Sequence, residues 1–308
     1  LHPTGALDVV RFTKVKSGDW LEAAVDLTGQ GPGKPVDIAV TGGRLDLRRL
    51  PETGMSSDGG PPLSVTLDTV QVTESIALTG FQGKFNSRGG FNGDFTAQVN
   101  GTAQVTGALG PTKNGTAVRL QSNDAGGVIA ASGIFERARG GTLDMTLMPK
   151  GGRGEYDGHA DVTNIQVKDA PVLAELLGAI SVVGLLEQMN DSGIAFTSGQ
   201  TDFTTSEKGV EILRGSAIGA SLGVSLSGRY SSETSALDMQ GVISPIYILN
   251  GIGSIFTRRG EGLFGFAYRL GGTSSQPTIS VNPLSILTPG MFREIFRAPP
   301  PPPQGGSG

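Results

Sequence analysis

The sequence predicts a mostly β protein: an elongated antiparallel sheet left open as a taco-like groove, with two or three short apolar helices in its C-terminal half. Three observations carry this. From Leu1 to about Asp169, apolar and polar residues alternate with a period of two in short runs bounded by Gly, Asn, Asp, Pro or Ser, which is the pattern of strands joined by tight turns. Glycine fills 49 of 308 positions without the three-residue period of collagen, and supplies curvature instead. Charged residues make up 17% of the chain, below the roughly 25% of an ordinary soluble domain. One face of each strand is therefore dry, as in a sheet covered on one side.

In chain order, Val36–Val40 and Leu63–Leu67 are alternating strands. Phe81-Gln-Gly-Lys-Phe85 and Phe91-Asn-Gly-Asp-Phe95 read as a hairpin, with Phe85 opposite Phe91, Phe81 opposite Phe95, Gly83 opposite Gly93, and a three-residue loop Ser87-Arg88-Gly89. The four phenylalanines then flank a glycine pair on one face. They either shield strand glycines in an ordinary core or form the greasy wall of a groove. The run Ala97–Thr106 is the cleanest alternation, with Ala97, Val99, Gly101, Ala103 and Val105 on its dry side. Phe81, Phe85, Phe91, Phe95, Val99 and Val105 are the candidate lining of that face. Leu143–Leu147 repeats the pattern, and strands resume at Ile194–Thr205, Gly209–Tyr230 and Leu237–Val242.

The helices come late. Ala170–Met189 is apolar nearly all round and must be covered by protein or lipid, with Leu173, Leu176, Leu177, Ile180 and Val183 as its candidate contacts. Ser244-Pro245 has the form of a helix start and precedes a run to Phe256. Thr288-Pro289 opens a third helix, in which Met291, Phe292, Ile295 and Phe296 take one side and Arg293 and Arg297 the other. This short amphipathic helix is a candidate end cap of the sheet or membrane contact. Five arginines against two glutamates from Thr257 onward give a net charge of +3, beside −7 for the rest. That favours anionic headgroups, while arginine on a solvated helix face accounts for the same residues. Pro299–Pro303 and the Gly/Ser tail are a spacer.

Chemistry-bearing motifs are sparse. The absence of cysteine removes disulfides, Cys-ligated metals and thiol nucleophiles, and His2 and His159 are the two histidines. No metal, cofactor or nucleic-acid partner is expected from this set, the last because the net charge is −4. Gly219-Ala-Ser-Leu-Gly223 matches the nucleophile-elbow string. Such an elbow needs a helix after the serine and a later histidine, whereas Ser221 runs into an alternating strand and both histidines precede it. The chain is expected not to be an enzyme. Asn100-Gly-Thr102, Asn114-Gly-Thr116 and Asn190-Asp-Ser192 fit glycosylation sequons, although Asn-Gly is first a turn dipeptide. The longest apolar run, Leu176–Leu186, falls short of the roughly 20 residues that span a bilayer.

The order Ser122-Asn-Asp-Ala-Gly-Gly127, Arg139-Gly-Gly-Thr-Leu143, Val167–Leu177 and Gly193-Ile-Ala-Phe196 resembles the carboxyl-terminal region of AsmA-like proteins, nearest to the YhdP group of Gram-negative bacteria. Gly241–Asn250, Gly260-Glu-Gly-Leu-Phe-Gly265 and Asn282–Gly290 continue the likeness in order and spacing. The resemblance spans roughly residues 60 to 297. It implies a piece of a longer protein, anchored in the inner membrane by a segment outside this chain, with a periplasmic β-groove that carries phospholipid. It also implies a division into a strand-rich lead-in (1–60), the AsmA-like region (61–297) and a tail (298–308). It carries over no catalytic residue and leaves the envelope protein partner unidentified. Allowing about 12 residues per strand and turn gives on the order of 20 strands, or roughly 95 Å of sheet at about 4.8 Å per strand.

Overall fold

The computed structural model describes residues 8–31, 33–51, 60–180, 187, 192–245 and 265–282. Two compact units divide the chain: Leu1–Glu136 with Leu143–Arg153, and Arg137–Thr142 with Gly154–Gly308. The described residues are mostly strand, as alternation demands, and the sheet is open rather than closed into a barrel.

The first unit holds β1 (Val9–Ser17), β2 (Leu21–Thr28), β3 (Asp37–Asp46), β4 (Leu63–Gln71), β5 (Ala77–Asn86), β6 (Asn92–Val99), β7 (Ala103–Thr112), β8 (Gly115–Ser122), the helix α1 (Ala125–Ala131) and, after the two-residue β9 (Ala138–Arg139) of the other unit, β10 (Thr142–Pro149). Neighbours in the chain pair in sequence, and β10 completes the series on β8. One pair departs from the antiparallel expectation. β3 and β4 run parallel, Ile38 opposite Leu63 and Val40 opposite Val65, because the long connection between them returns the chain to the starting end.

Between Ala97 and Thr106 the structure has a hairpin rather than one strand. Asn100 (φ 47°) and Gly101 (φ 77°) both adopt left-handed backbone, and Val99 C=O accepts from Thr102 N–H at 3.1 Å, so Ala97 faces Val105 and Val99 faces Ala103. The Asn-Gly signal therefore outranks the alternation, which a hairpin turn can mimic. Asn100 Oδ1 also accepts from Ala77 N–H at 2.8 Å, and its Nδ2 donates to the Ala131 carbonyl at 2.7 Å, tying this turn to β5 and α1.

The phenylalanine hairpin pairs two residues away from the expected register. Phe85 faces Gly93 and Gly83 faces Phe95, with Ser87–Phe91 as a five-residue connection. The shift is even, so every side chain keeps its face. Its reason is packing, since Phe85 and Phe95 now lie opposite glycines, and a Cβ on Gly93 would stand 2.6 Å from Phe85 Cδ1.

A line of irregularities crosses β3, β4 and β5. The register slips in β3 opposite Glu22–Ala24 and in β5 between Thr79 and Gln82, where Gly80 takes φ 57°. Gly43 N–H donates to Asp68 Oδ2 of the intervening strand at 2.7 Å. Each extra residue restores the buried face beyond it: Leu45, Val70 and Leu78 follow Val40, Leu67 and Phe81 at odd spacing.

α1 lies in the N-terminal half and was not expected there. Its start is legible in retrospect, because the Asp124 side chain accepts from Gly127 N–H at 2.9 Å as a helix cap. The two glycines of its first turn hide it from propensity.

The second unit pairs β9 with β11 (Tyr156–Val167), then in antiparallel sequence β12 (Ile194–Ser206), β13 (Gly209–Gly219), β14 (Leu222–Ser231), β15 (Leu237–Pro245), β16 (Phe266–Gly272) and β17 (Pro277–Asn282). Helix α2 (Pro171–Ala179) begins on proline as the sequence predicts and lies close to β17. Ser244 and Pro245 end strand β15, opposite Gly223 and Leu222, and do not start a helix there. The sequence after them to Phe256, and the C-terminal helix, fall outside the described residues.

Candidate functional site

Residues directly opposite in a sheet share a face, so the registers can be followed across the first unit. One row runs Val10, Leu27, Ile38, Leu63, Phe85, Gly93, Leu109, Val118, Leu147, one residue from each of nine strands. A second runs Phe12, Val25, Val40, Val65, Gly83, Phe95, Gly107, Leu120, Met145. Neither contains a polar side chain. At about 4.8 Å per strand, eight intervals carry each row about 38 Å across the strands.

The rows are graded in exposure. Phe85, Phe95 and Gly107 are buried, Phe12 is 47% exposed, and the remaining members are half-buried. Toward the other end of the strands the same face is packed tight, with Leu67, Val70, Val99 and Val105 at 1–4% exposure in one cluster that Val128 and Ala131 of α1 adjoin. The face is thus dry throughout, closed at one strand end and half-open at the other.

The aromatic residues hold the middle of both rows. Phe81 and Phe95 stack with centroids 4.9 Å apart, and Phe85 and Phe91 at 5.2 Å. A Cβ on Gly107 would lie 2.1 Å from Phe95 Cζ, and one on Gly83 would lie 2.5 Å from Phe85 Cζ. The rings occupy the space the glycines leave. The second unit repeats the device, with Phe203 lying 2.3 Å from a Cβ built on its cross-strand partner Gly158.

All four predicted phenylalanines are brought together, Phe91 half-buried and the others buried. Val99 and Val105 belong to the closed end. Leu173, Leu176 and Leu177 are buried on α2, and Ile180 is half-buried at its C-cap. Val183, Met291, Phe292, Arg293, Ile295, Phe296 and Arg297 lie outside the described residues. The other members of the two rows escaped sequence reasoning. Alternation marks them as dry, but no local signal aligns residues from nine strands.

The opposite face of the first unit is wet and carries cross-strand ion pairs such as Arg11–Asp26 at 2.9 Å. The second unit has its own, Arg229–Glu211 at 2.9 Å, and there His159 takes its place. Its Nδ1 is 2.7 Å from Asp202 Oδ1 and its Nε2 is 3.1 Å from Asp161 Oδ2, while Arg214 Nη2 donates to Asp202 at 2.6 Å. The hydrogen bond with Asp202 raises the imidazole pKa against the opposing effect of burial, and the same bond lowers that of Asp202. A raised pKa stabilises the fold below the unfolded value near 6.5, and that gain is lost as pH rises through the folded value. Because the side chain is 45% exposed, screening holds the effect below about 1 kcal/mol. His159→Gln should therefore lower stability at pH 5.5 and leave it unchanged at pH 8.5, as read by urea denaturation.

Ser221 lies in the turn between β13 and β14, with a strand on each side. Tyr268 is buried and donates from its hydroxyl to the Ser225 carbonyl at 2.8 Å; burial pushes its phenol pKa upward. The first unit therefore offers an apolar face backed by a wet face of paired charges. No protein-family model, curated protein or solved structure matches the chain.

Proposed function

We propose that the chain is a non-catalytic segment of a periplasmic lipid conduit, carrying phospholipid between inner and outer membranes along the apolar face of its sheet and so supporting outer-membrane integrity. One observation carries this reading: two rows without a polar side chain cross nine strands and, apart from buried Phe85, Phe95 and Gly107 at their centre and exposed Phe12 near one edge, stay half-buried. Acyl chains need a continuous dry surface that can be entered from the side. An ordinary core would seal the rows, and a fully exposed apolar strip of this length would aggregate. The AsmA-like resemblance supplies the compartment and the membrane anchor, which would lie elsewhere in a longer protein. No described helix is long and apolar enough to cross a membrane.

A β-rich envelope scaffold that binds partner proteins is the second reading, favoured by the 1–4% exposure of Leu67, Val99 and Val105. Purification under mild conditions followed by lipid extraction and mass spectrometry separates the two. Reproducible phospholipid near one or more molecules per chain is the expected result. A chain recovered free of lipid would support the scaffold.

A further inference from the structure

We propose that the loop end of the first unit is a rail for anionic phospholipid headgroups, set along the half-open apolar rows. The inference rests on the conduit reading and adds the class of lipid. Strand directions place the β2–β3, β5–β6 and β7–β8 loops at one end of the strands, the end where the row from Val10 to Leu147 runs. Among their described residues each loop carries a single charge, and each charge is positive: Lys34, Arg88 and Lys113. All three are exposed, and their side chains make no hydrogen bond or ion pair among the described residues. The segment leaving β10 at this end adds Lys150, of the same sign. Two carboxylates lie nearby: Asp37 is engaged by Gln30 Nε2, and exposed Asp8, whose carbonyl accepts from Gly29 N–H at 2.9 Å, stands beside the β2–β3 loop.

The other strand end is built differently. Its turns hold Asp19, Glu74, Asp124 and Glu136, and there Arg48 is taken up by Asp46 through Nε at 2.9 Å and Nη2 at 2.7 Å. In the loops of the half-open end Lys34, Arg88 and Lys113 are thus left without a partner among the described residues, where a lipid whose chains lie on the rows presents its phosphate. The three loops are three and two strands apart, about 14 and 10 Å at about 4.8 Å per strand. A headgroup leaving one cation would meet the next after about 10–14 Å, while the hydrocarbon stays on the same two rows.

The test uses the purified chain with acyl-labelled phosphatidylglycerol and phosphatidylcholine of identical chains, and the triple variant Lys34→Glu, Arg88→Glu, Lys113→Glu, whose fold is checked by circular dichroism. At low salt the wild type should hold phosphatidylglycerol roughly five-fold more tightly, with the preference fading as salt rises. The triple variant should lose the preference and keep its affinity for phosphatidylcholine. Equal binding of both lipids by the wild type, or an intact preference in the variant, overturns the rail and leaves the conduit standing. Displacement by excess glycerol 3-phosphate also overturns it, assigning the loops to a soluble phosphate. Failure of the wild type to hold either lipid overturns the conduit reading itself.

Discussion

Val99→Asp is expected to abolish the cooperative unfolding transition of the first unit, whereas Phe91→Glu leaves the chain folded and empties it of lipid. Val99 is 4% exposed at the closed end of the dry face, among Leu78, Ala97, Val105 and their neighbours. A carboxylate placed there has neither water nor a cationic partner, a cost of several kcal/mol against a typical stability of about 5–15 kcal/mol. Phe91 is half-buried in the β5–β6 connection, 5.2 Å from the Phe85 ring. A glutamate can turn its charge outward from that position, at the rim that acyl chains would have to pass. Urea denaturation followed by circular dichroism reads the first effect, and lipid extraction reads the second. A Val99→Asp chain as stable as the wild type would show that water reaches the closed end. A Phe91→Glu chain that stays fully loaded would remove this rim from the path of the lipid.

The second large effect is a coupling. Phe95→Ala should cost about 3–5 kcal/mol, since it empties the centre of a packed cluster. Gly107→Ala should cost about 1–3 kcal/mol, because its new methyl would stand 2.1 Å from Phe95 Cζ and force a buried ring aside. Combining the two removes the clash, and the added methyl fills part of the space left by the ring. The double variant should therefore be more stable than the sum of the single losses allows, by about 0.5–3 kcal/mol. Chemical denaturation of the four chains measures the difference directly. Strict additivity would mean that the ring and the glycine do not depend on each other, and that Gly107 is there for its backbone alone.

The sequence by itself determined that the chain is strand-rich, that each strand has a dry and a wet side, and that the phenylalanines at 81, 85, 91 and 95 belong together. All of this is local, because a period of two assigns faces without reference to any other strand. It also determined the start of α2, where Pro171 fixes the first turn. Where two local signals met, at Asn100-Gly101, the alternation masked a turn, because Ala97, Val99, Ala103 and Val105 keep their parity whether the chain runs straight or folds back. Other features were decided only by the tertiary structure. The parallel pairing of β3 with β4 depends on the path of a long connection, and the register of the phenylalanine hairpin on rings finding glycines across strands. The two apolar rows depend on eight registers at once, and separate slips at Gly43 and Gly80 bring Leu45 and Leu78, beyond the rows, back to the buried face. Register is a relation between segments far apart in the chain, set by which pairings bury the most surface together, and no window of sequence contains it.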